Sequence, residues 1–417
     1  MRHLTLCLLL ASASFAQRPD TNYDETKVPR YTLPDLLTMR SGQLVKDAKT
    51  WRQERRPEIY KLLEDQMFGR APGRPQKKMT FELASIEKSA FGGKAVRKEV
   101  SIKTAGKTLN LLLYLPSQTK GRVPVFLGLN FGGNHAISPE PGIKLATIWS
   151  RNGKTPPATA PESSRGSTSS RWPIEMILAA GYGVASIYYC DIEPDYDGGL
   201  SNSVRQAYLK DGKTEFAAGG WGAIGAWAWG LSRAMDYLET DKAVDAKRVA
   251  VLGHSRLGKT ALWAGAADER FAIVISNDSG EGGAAISRRM FGENVKNLNT
   301  SFPHWFCGNY KQYNDRVAEL PFDSHMLIAL IAPRPVYVAS AEEDKWADPK
   351  GEFLAAVAAS PVYRLYGKKG IESDAMPGIH QPVGDAVGYH IRAGKHDVTK
   401  YDWEQFIRFA DRHFDRK

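Results

Sequence analysis

The chain has 417 residues, 42% of them hydrophobic and 24% charged, with a formal net charge of +10. That is globular composition, long enough for one large α/β domain with insertions or for two domains. Lys and Arg are scattered without a dense basic tract, and no stretch after the N-terminus approaches ~20 consecutive apolar residues. Neither nucleic acid nor a membrane is therefore an expected partner, and the charge leaves only a mild preference for an acidic polymer.

Residues 1–16, MRHLTLCLLLASASFA, read as a secretory signal: a basic start, an apolar run too short to span a bilayer, and Ser14-Phe15-Ala16 as a small-x-small cleavage site. The mature protein, 17–417, is expected to be soluble and secreted or periplasmic. Cys190 and Cys307 remain once Cys7 is removed, and the sequence leaves open whether they form a disulfide or stay as buried thiols. There is no CxxC and no His/Cys cluster at zinc spacing, so no metal site and no cofactor are expected. A monomer is expected.

Residues 17–30 are polar and extended. From 31 to 70 an N-terminal helical extension is expected, because Leu33, Leu36, Leu37, Leu44, Trp51, Ile59, Leu62, Leu63 and Phe68 recur at roughly helical spacing. Pro57 should divide that run, and Gly69 with the following APGRP should stop it. The period then changes to two: MTFELASIE, AVRKEVSIK and TLNLLLYLP predict antiparallel strands. VPVFLGLNF (123–131) is an unbroken apolar strand of the kind buried on both faces, ending in Gly132-Gly133. The Pro/Ser/Thr/Gly-rich stretch 138–172 reads as a surface insertion long enough to shape a cleft. A β/α alternation follows, with the strand VASIYY, a loop CDIEPDYDGGLSNS, and a long helix in GAIGAWAWGLSRAMDYLE.

RVAVLGHSRLGKT (248–260) organises the rest: a strand-like run meets Gly253-His254-Ser255-Arg256-Leu257-Gly258, and an Ala-rich helix follows. Strand, glycine-flanked serine, helix is the context of a Gly-x-Ser-x-Gly-type nucleophile elbow, where the turn is too tight for flanking Cβ atoms. Ser255 is the candidate nucleophile. The strands FAIVIS (271–276) and PVYVASA (335–341) come next, and a last helix spans roughly 401–414. The fold class is therefore α/β: a single three-layer α/β-hydrolase domain, its central sheet mainly parallel with antiparallel N-terminal strands and helices on both faces.

In that fold the nucleophile, the acid and the histidine follow in order at strand ends. His396 is the favoured base over His304, His325, His380, His390 and His413, because its short loop directly precedes the final helix. Asp344, just past PVYVASA, is the favoured acid, and Asp278, one strand earlier, is the other candidate. The backbone N–H of Arg256 is the expected first oxyanion donor, with a second near Gly132-Gly133. The Arg256 guanidinium can also reach developing negative charge, or else form a structural salt bridge with Asp278 or Glu281. Lys259, one helical turn past Ser255, either faces the site or is a surface lysine.

The segment 253–259 resembles the Gly-x-Ser-Arg-x-Gly-Lys elbow of glucuronoyl esterases, carbohydrate esterase family 15. The resemblance continues through NDSGEGG (277–283), PHWF (303–306), SAEEDKWADPKGEF (340–353) and GKHDVTKYDW (394–403). It implies a carboxylic ester hydrolase that cleaves the ester between a (4-O-methyl-)glucuronic acid of xylan and a lignin alcohol. By the same resemblance Ser255 is the nucleophile, His396 the base, Arg256 an oxyanion stabiliser, and Lys259, Trp346 and Glu293 sugar contacts. Fungal members carry a disulfide-bonded Cys where this chain has His254, which points to the bacterial branch. Members commonly place a Glu at the earlier acid position, where this chain has Asp278, one methylene shorter; that favours Asp344 as the main orienter. Remaining alternatives are an acetyl-xylan or other carbohydrate esterase, and a catalytically inactive hydrolase fold that binds carbohydrate. A prolyl-oligopeptidase-like peptidase lacks support, because no propeller repeats precede the hydrolase part.

Overall fold

The computed structural model describes residues 21–73, 79–210 and 212–416; the signal segment 1–16 lies outside them. Three strands, β1 (Thr80–Ser89), β2 (Ala95–Thr104) and β3 (Lys107–Pro116), form the antiparallel start of a ten-stranded sheet. β4 (Val123–Asn130) pairs in parallel with β7 (Gly183–Tyr188) and β8 (Val244–His254). β9 (Ile273–Asn277), β10 (Val336–Ala341) and β12 (Val387–Arg392) continue the parallel set, and β11 (Val383–Gly384) closes the edge antiparallel. A separate ribbon of β5 (Thr147–Ile148) and β6 (Ala158–Thr159) lies in the 138–172 stretch.

Alternation along each strand divides the core into two layers. Val123, Val125, Leu127 and Leu129 of β4 face one side with Leu111 and Leu113, under α1 (Ala223–Leu238), α2 (Arg256–Ala267) and α3 (Pro349–Leu365). Phe126, Leu112, Ile273, Ile275 and Tyr337 face the other, under Trp403, Phe406 and Phe409 of α4 (Lys400–His413). Both faces of β4 are covered, which is why its sequence is apolar without alternation. Each such fully buried side chain contributes roughly 1.5–3 kcal/mol.

The extension expected as helix over 31–70 is helical only from Ala48 to Phe68. Leu36, Met39 and Val45 are buried from bends and a bridge between Thr38 and Leu44 instead. The reason is tertiary: the Arg55 guanidinium donates to the carbonyls of Asp35 (2.8 Å) and Leu36 (3.2 Å), which a helix would have consumed. Pro57 does not divide the run. The wide π turn at Trp51–Arg55 passes into an α-helix at Arg56, so the missing proline N–H falls at a change of hydrogen-bond period.

Parallel strands aim their carboxyl ends at one edge. The loops that follow β7, β8, β9, β10 and β12 collect there, where open α/β sheets bind ligands.

Candidate active site

Ser255 sits between β8 and α2 with φ 59° and ψ −131°, a left-handed backbone that costs an L-residue about 1–3 kcal/mol. Its N–H is tied to the Asn277 carbonyl at 2.9 Å. A Cβ on Gly253 would lie 1.8 Å from the Leu257 carbonyl oxygen, and one on Gly258 would lie 3.0 Å from the Ser279 Cβ. The elbow thus departs from Gly-x-Ser-x-Gly spacing: Leu257 takes the position two after the serine, and the second glycine follows it. Gly253→Ala is expected to destabilise the protein by about 3 kcal/mol or more, read as a lowered denaturant midpoint, because backbone rather than a flexible side chain fills the space.

Opposite the elbow, His396 Nδ1 meets Asp344 Oδ2 at 2.6 Å. The Asp344 side chain is 5% exposed and that of His396 26%, so the pair is anchored inside and open to the cleft at one end. Asp278 is also brought here. One atom of each of Asp278, Asp344 and His396 falls within a sphere of contacts no wider than 4.8 Å, a grouping that could also hold a metal ion. Burial pushes the Asp278 carboxyl well above the usual carboxylate range, and the neighbouring charges of Asp344 and Glu352 push the same way. Arg392 Nη2, at 3.4 Å from Asp278 Oδ2, pulls against them.

Arg256 makes its ion pair with neither Asp278 nor Glu281. Its partner is Asp195, in the loop after β7. Asp195 also accepts from His304 Nε2 (2.9 Å), Trp305 Nε1 (2.7 Å) and the Tyr189 hydroxyl (3.0 Å). Burial alone would raise this carboxyl, but the Arg256 charge and the His304 and Trp305 bonds outweigh it and hold it well below its usual range. The guanidinium lies 4.9 Å from the Trp305 ring centre, and Trp305 stacks on Phe302 at 3.8 Å. Among the described residues Arg256 Nε is buried with no hydrogen-bond partner, an unusual state for a donor. Of the two glycines expected near the second donor, Gly133 has its N–H taken by Asn130 Oδ1 at 2.8 Å.

Glu281 is spoken for elsewhere, accepting from Ser287 Oγ and the Tyr310 hydroxyl, each at 2.8 Å. Lys259 is no surface lysine: it is 3% exposed, and its Nζ donates to the Ser279 carbonyl (2.6 Å) and Glu293 Oε2 (3.0 Å). Ser255, Arg256, Lys259, Glu293, Trp346 and His396 line one cleft. Of the other histidines, His390 is wholly buried in β12 and bonds Asp402 at 2.9 Å.

Three participants escaped the sequence. Asp195 lay in an acidic loop with nothing to single it out. Glu352, in the first turn of α3, accepts from the N–H groups of Ser279 (2.7 Å) and Gly280 (2.9 Å) and from Ser340 Oγ (2.6 Å), joining the β9 and β10 loops. Burial pushes it up to about 7 against those donors. The ring of His254 lies 4.4 Å from that of His396. Cys190 and Cys307 are both free and buried.

A family model described as "Glucuronyl esterase, fungi" matches residues 215–367. The chain is 53% identical to a carbohydrate esterase from an unknown prokaryotic organism, over 96% of this chain and 93% of that protein. The chain belongs to the glucuronoyl esterase family. This is carbohydrate esterase family 15, whose members are carboxylic ester hydrolases. The solved structure of a glucuronoyl esterase from Solibacter usitatus is 57% identical, covers 93% of this chain and 100% of its own, and superposes with a TM-score of 0.90. The 4-O-methyl-glucuronoyl methylesterase of Thermothelomyces thermophilus is 30% identical over 88% of this chain and 83% of its own. The family's bacterial members thus include the nearer of these relatives, in keeping with His254 at the elbow. Among the described residues no helix is long and apolar enough to cross a membrane.

Proposed function

We propose that this glucuronoyl esterase family member hydrolyses the ester between the carboxyl of a (4-O-methyl-)glucuronic acid on xylan and a lignin alcohol. Ser255 is the nucleophile, His396 the base and Asp344 the acid that orients it. His396 takes the Ser255 proton as Oγ attacks the ester carbonyl, and the negative charge that forms is met by the Arg256 backbone N–H and guanidinium. Collapse of the tetrahedral species returns the proton to the leaving alcohol, and water then repeats the sequence on the acyl-enzyme. The protein acts outside the cytoplasm after loss of residues 1–16.

One observation carries this reading: Arg256, held by Asp195, and the Lys259–Glu293 pair line the same cleft as the strained serine and His396. A substrate with a carboxyl derivative and several hydroxyls uses both Arg256 and the Lys259–Glu293 pair, which offers a donor and an acceptor on the same wall. A fatty-acyl ester offers the Lys259–Glu293 pair no hydroxyls to bond.

Hydrolysis of benzyl glucuronate beside an acetyl ester tests it. Rapid cleavage of the glucuronate is expected, together with labelling of the protein by a fluorophosphonate. Arg256→Ala should lower kcat by roughly a hundredfold or more, the size of an oxyanion donor. Activity on the acetyl ester alone overturns the substrate, and no labelling at all turns the protein into a binding module.

A further inference from the structure

Asp195 stands in the loop after β7, and its side chain is 1% exposed. Its two oxygens serve different elements. Oδ1 accepts from His304 Nε2 at 2.9 Å and from Trp305 Nε1 at 2.7 Å, which ties down the segment that forms one wall of the cleft. Oδ2 accepts from Arg256 Nη1 and from the Tyr189 hydroxyl at 3.0 Å, and Arg151 of the 138–172 insertion reaches it at 3.6 Å. The loop that carries Asp195 is itself anchored two residues earlier. There the buried Glu193 carboxylate binds Arg205, and the Glu193 carbonyl accepts from Trp227 Nε1 at 2.9 Å.

We propose that Asp195 is a positioning residue for the reaction, setting the direction from which the Arg256 guanidinium meets the developing oxyanion. The proposal rests on the oxyanion role given to Arg256 above. The ring centres of Phe131, Phe302 and Trp305 lie 5.4, 5.8 and 4.9 Å from the guanidinium carbon. Such contacts attract a cation but fix no N–H direction, whereas a carboxylate does. Asp195 is the one carboxylate paired with Arg256 among the described residues. A donor held in place beforehand needs no reorganisation when charge develops, and a misplacement of about 1 Å can cost a hundredfold in rate.

Charge alone predicts the opposite outcome. An anion beside Arg256 cancels part of the field that stabilises an oxyanion, so a bystander carboxylate in contact with it would slow the reaction. Asp195→Asn sets the two effects against each other, and its neighbours dictate how the amide sits. Trp305 Nε1 can only donate, so the amide oxygen stays on the Oδ1 side with Trp305 and His304. The NH2 group then takes the Oδ2 side, facing Arg256 donor to donor, while the Tyr189 hydroxyl can turn to accept from it. The wall keeps its bonds, and the guanidinium loses its anchor.

With benzyl glucuronate, Asp195→Asn is expected to lower kcat about tenfold to a hundredfold with KM within about threefold. Beside Arg256→Ala the same substitution is expected to change kcat by less than about twofold, because the group it acts through is gone. A loss of equal size in both backgrounds is that of a structural residue and overturns the proposal. So does a wild-type or faster rate for Asp195→Asn alone. Where Asp195→Asn does not fold, Asp195→Glu decides in the same cycle, since it carries the charge one methylene out of place. A loss that vanishes beside Arg256→Ala then supports positioning, and a wild-type rate or an equal loss in both backgrounds removes it. Fluorophosphonate labelling rates repeat the cycle without a sugar, so a wrong substrate assignment leaves the experiment standing. Arg256→Ala at the wild-type rate would instead sink the oxyanion reading, and this proposal with it.

Discussion

Ser255→Ala is expected to bring ester hydrolysis down by about a millionfold and to abolish fluorophosphonate labelling. The fold should not notice. Ser255 stands at the N-cap of α2, yet its hydroxyl makes no capping bond, so removing the oxygen takes nothing from the helix. Alanine keeps the Cβ and with it the same backbone strain at φ 59°. The melting temperature of the variant should therefore match wild type, and the Arg256 and Lys259 side chains should still bind substrate. That combination, full stability with no turnover, distinguishes a nucleophile from a residue that merely shapes the loop. Activity retained above about one per cent would place the nucleophile elsewhere, and no other serine in the cleft sits at an elbow: Ser279 is already engaged with Glu352.

What could be read from the sequence followed local rules. The elbow was legible because a tight turn leaves its mark on consecutive residues, Gly253 to Gly258, between a strand and a helix. His396 and Asp344 were legible because the fold sets an order along the chain and each lies at a predicted strand end. The two sheet faces were legible in the unbroken apolar run of β4. Partnerships across the sheet were not. Asp195 and Arg256 are sixty-one positions apart, and nothing in CDIEPDYDGG tells which carboxylate turns inward. The Glu352 carboxyl binds backbone N–H groups seventy-two and seventy-three residues away, a contact without sequence signature because it uses no particular partner side chain. The leucines from 33 to 44 misled for a related reason: helical spacing is necessary for an amphipathic helix but does not forbid bends, and Arg55 tipped the balance by claiming their carbonyls.

Asp344→Asn is expected to lower kcat by about ten-thousandfold, as loss of the orienting carboxylate does where a serine depends on histidine. The carboxylate accepts a hydrogen bond from His396 Nδ1–H and so leaves the other nitrogen to accept from serine; an amide can present its NH2 there and favour the wrong tautomer. Asp278→Asn is expected to cost about tenfold or less, because its Oδ2 is engaged by Arg392 rather than set squarely on Nδ1. Stability gives a second, independent readout. Asp278 is wholly buried beside the charges of Asp344 and Glu352, and its other oxygen has no hydrogen-bond partner among the described residues. Neutralising it relieves that repulsion, while Arg392 keeps Asp402 at 2.8 Å and the carbonyls of Lys395 and Asp397. The Asp278→Asn protein should therefore melt at or above the wild-type temperature, whereas Asp344→Asn relieves the same pair repulsion only by weakening the bond to His396 Nδ1. If Asp278→Asn is the more damaging to kcat, the two acids exchange roles and the 2.6 Å contact of Asp344 is a bond of the resting state alone. Sharing of the imidazole between them has its own signature: the double variant would then lose more activity than the two single losses multiplied together, since each acid would no longer cover for the other.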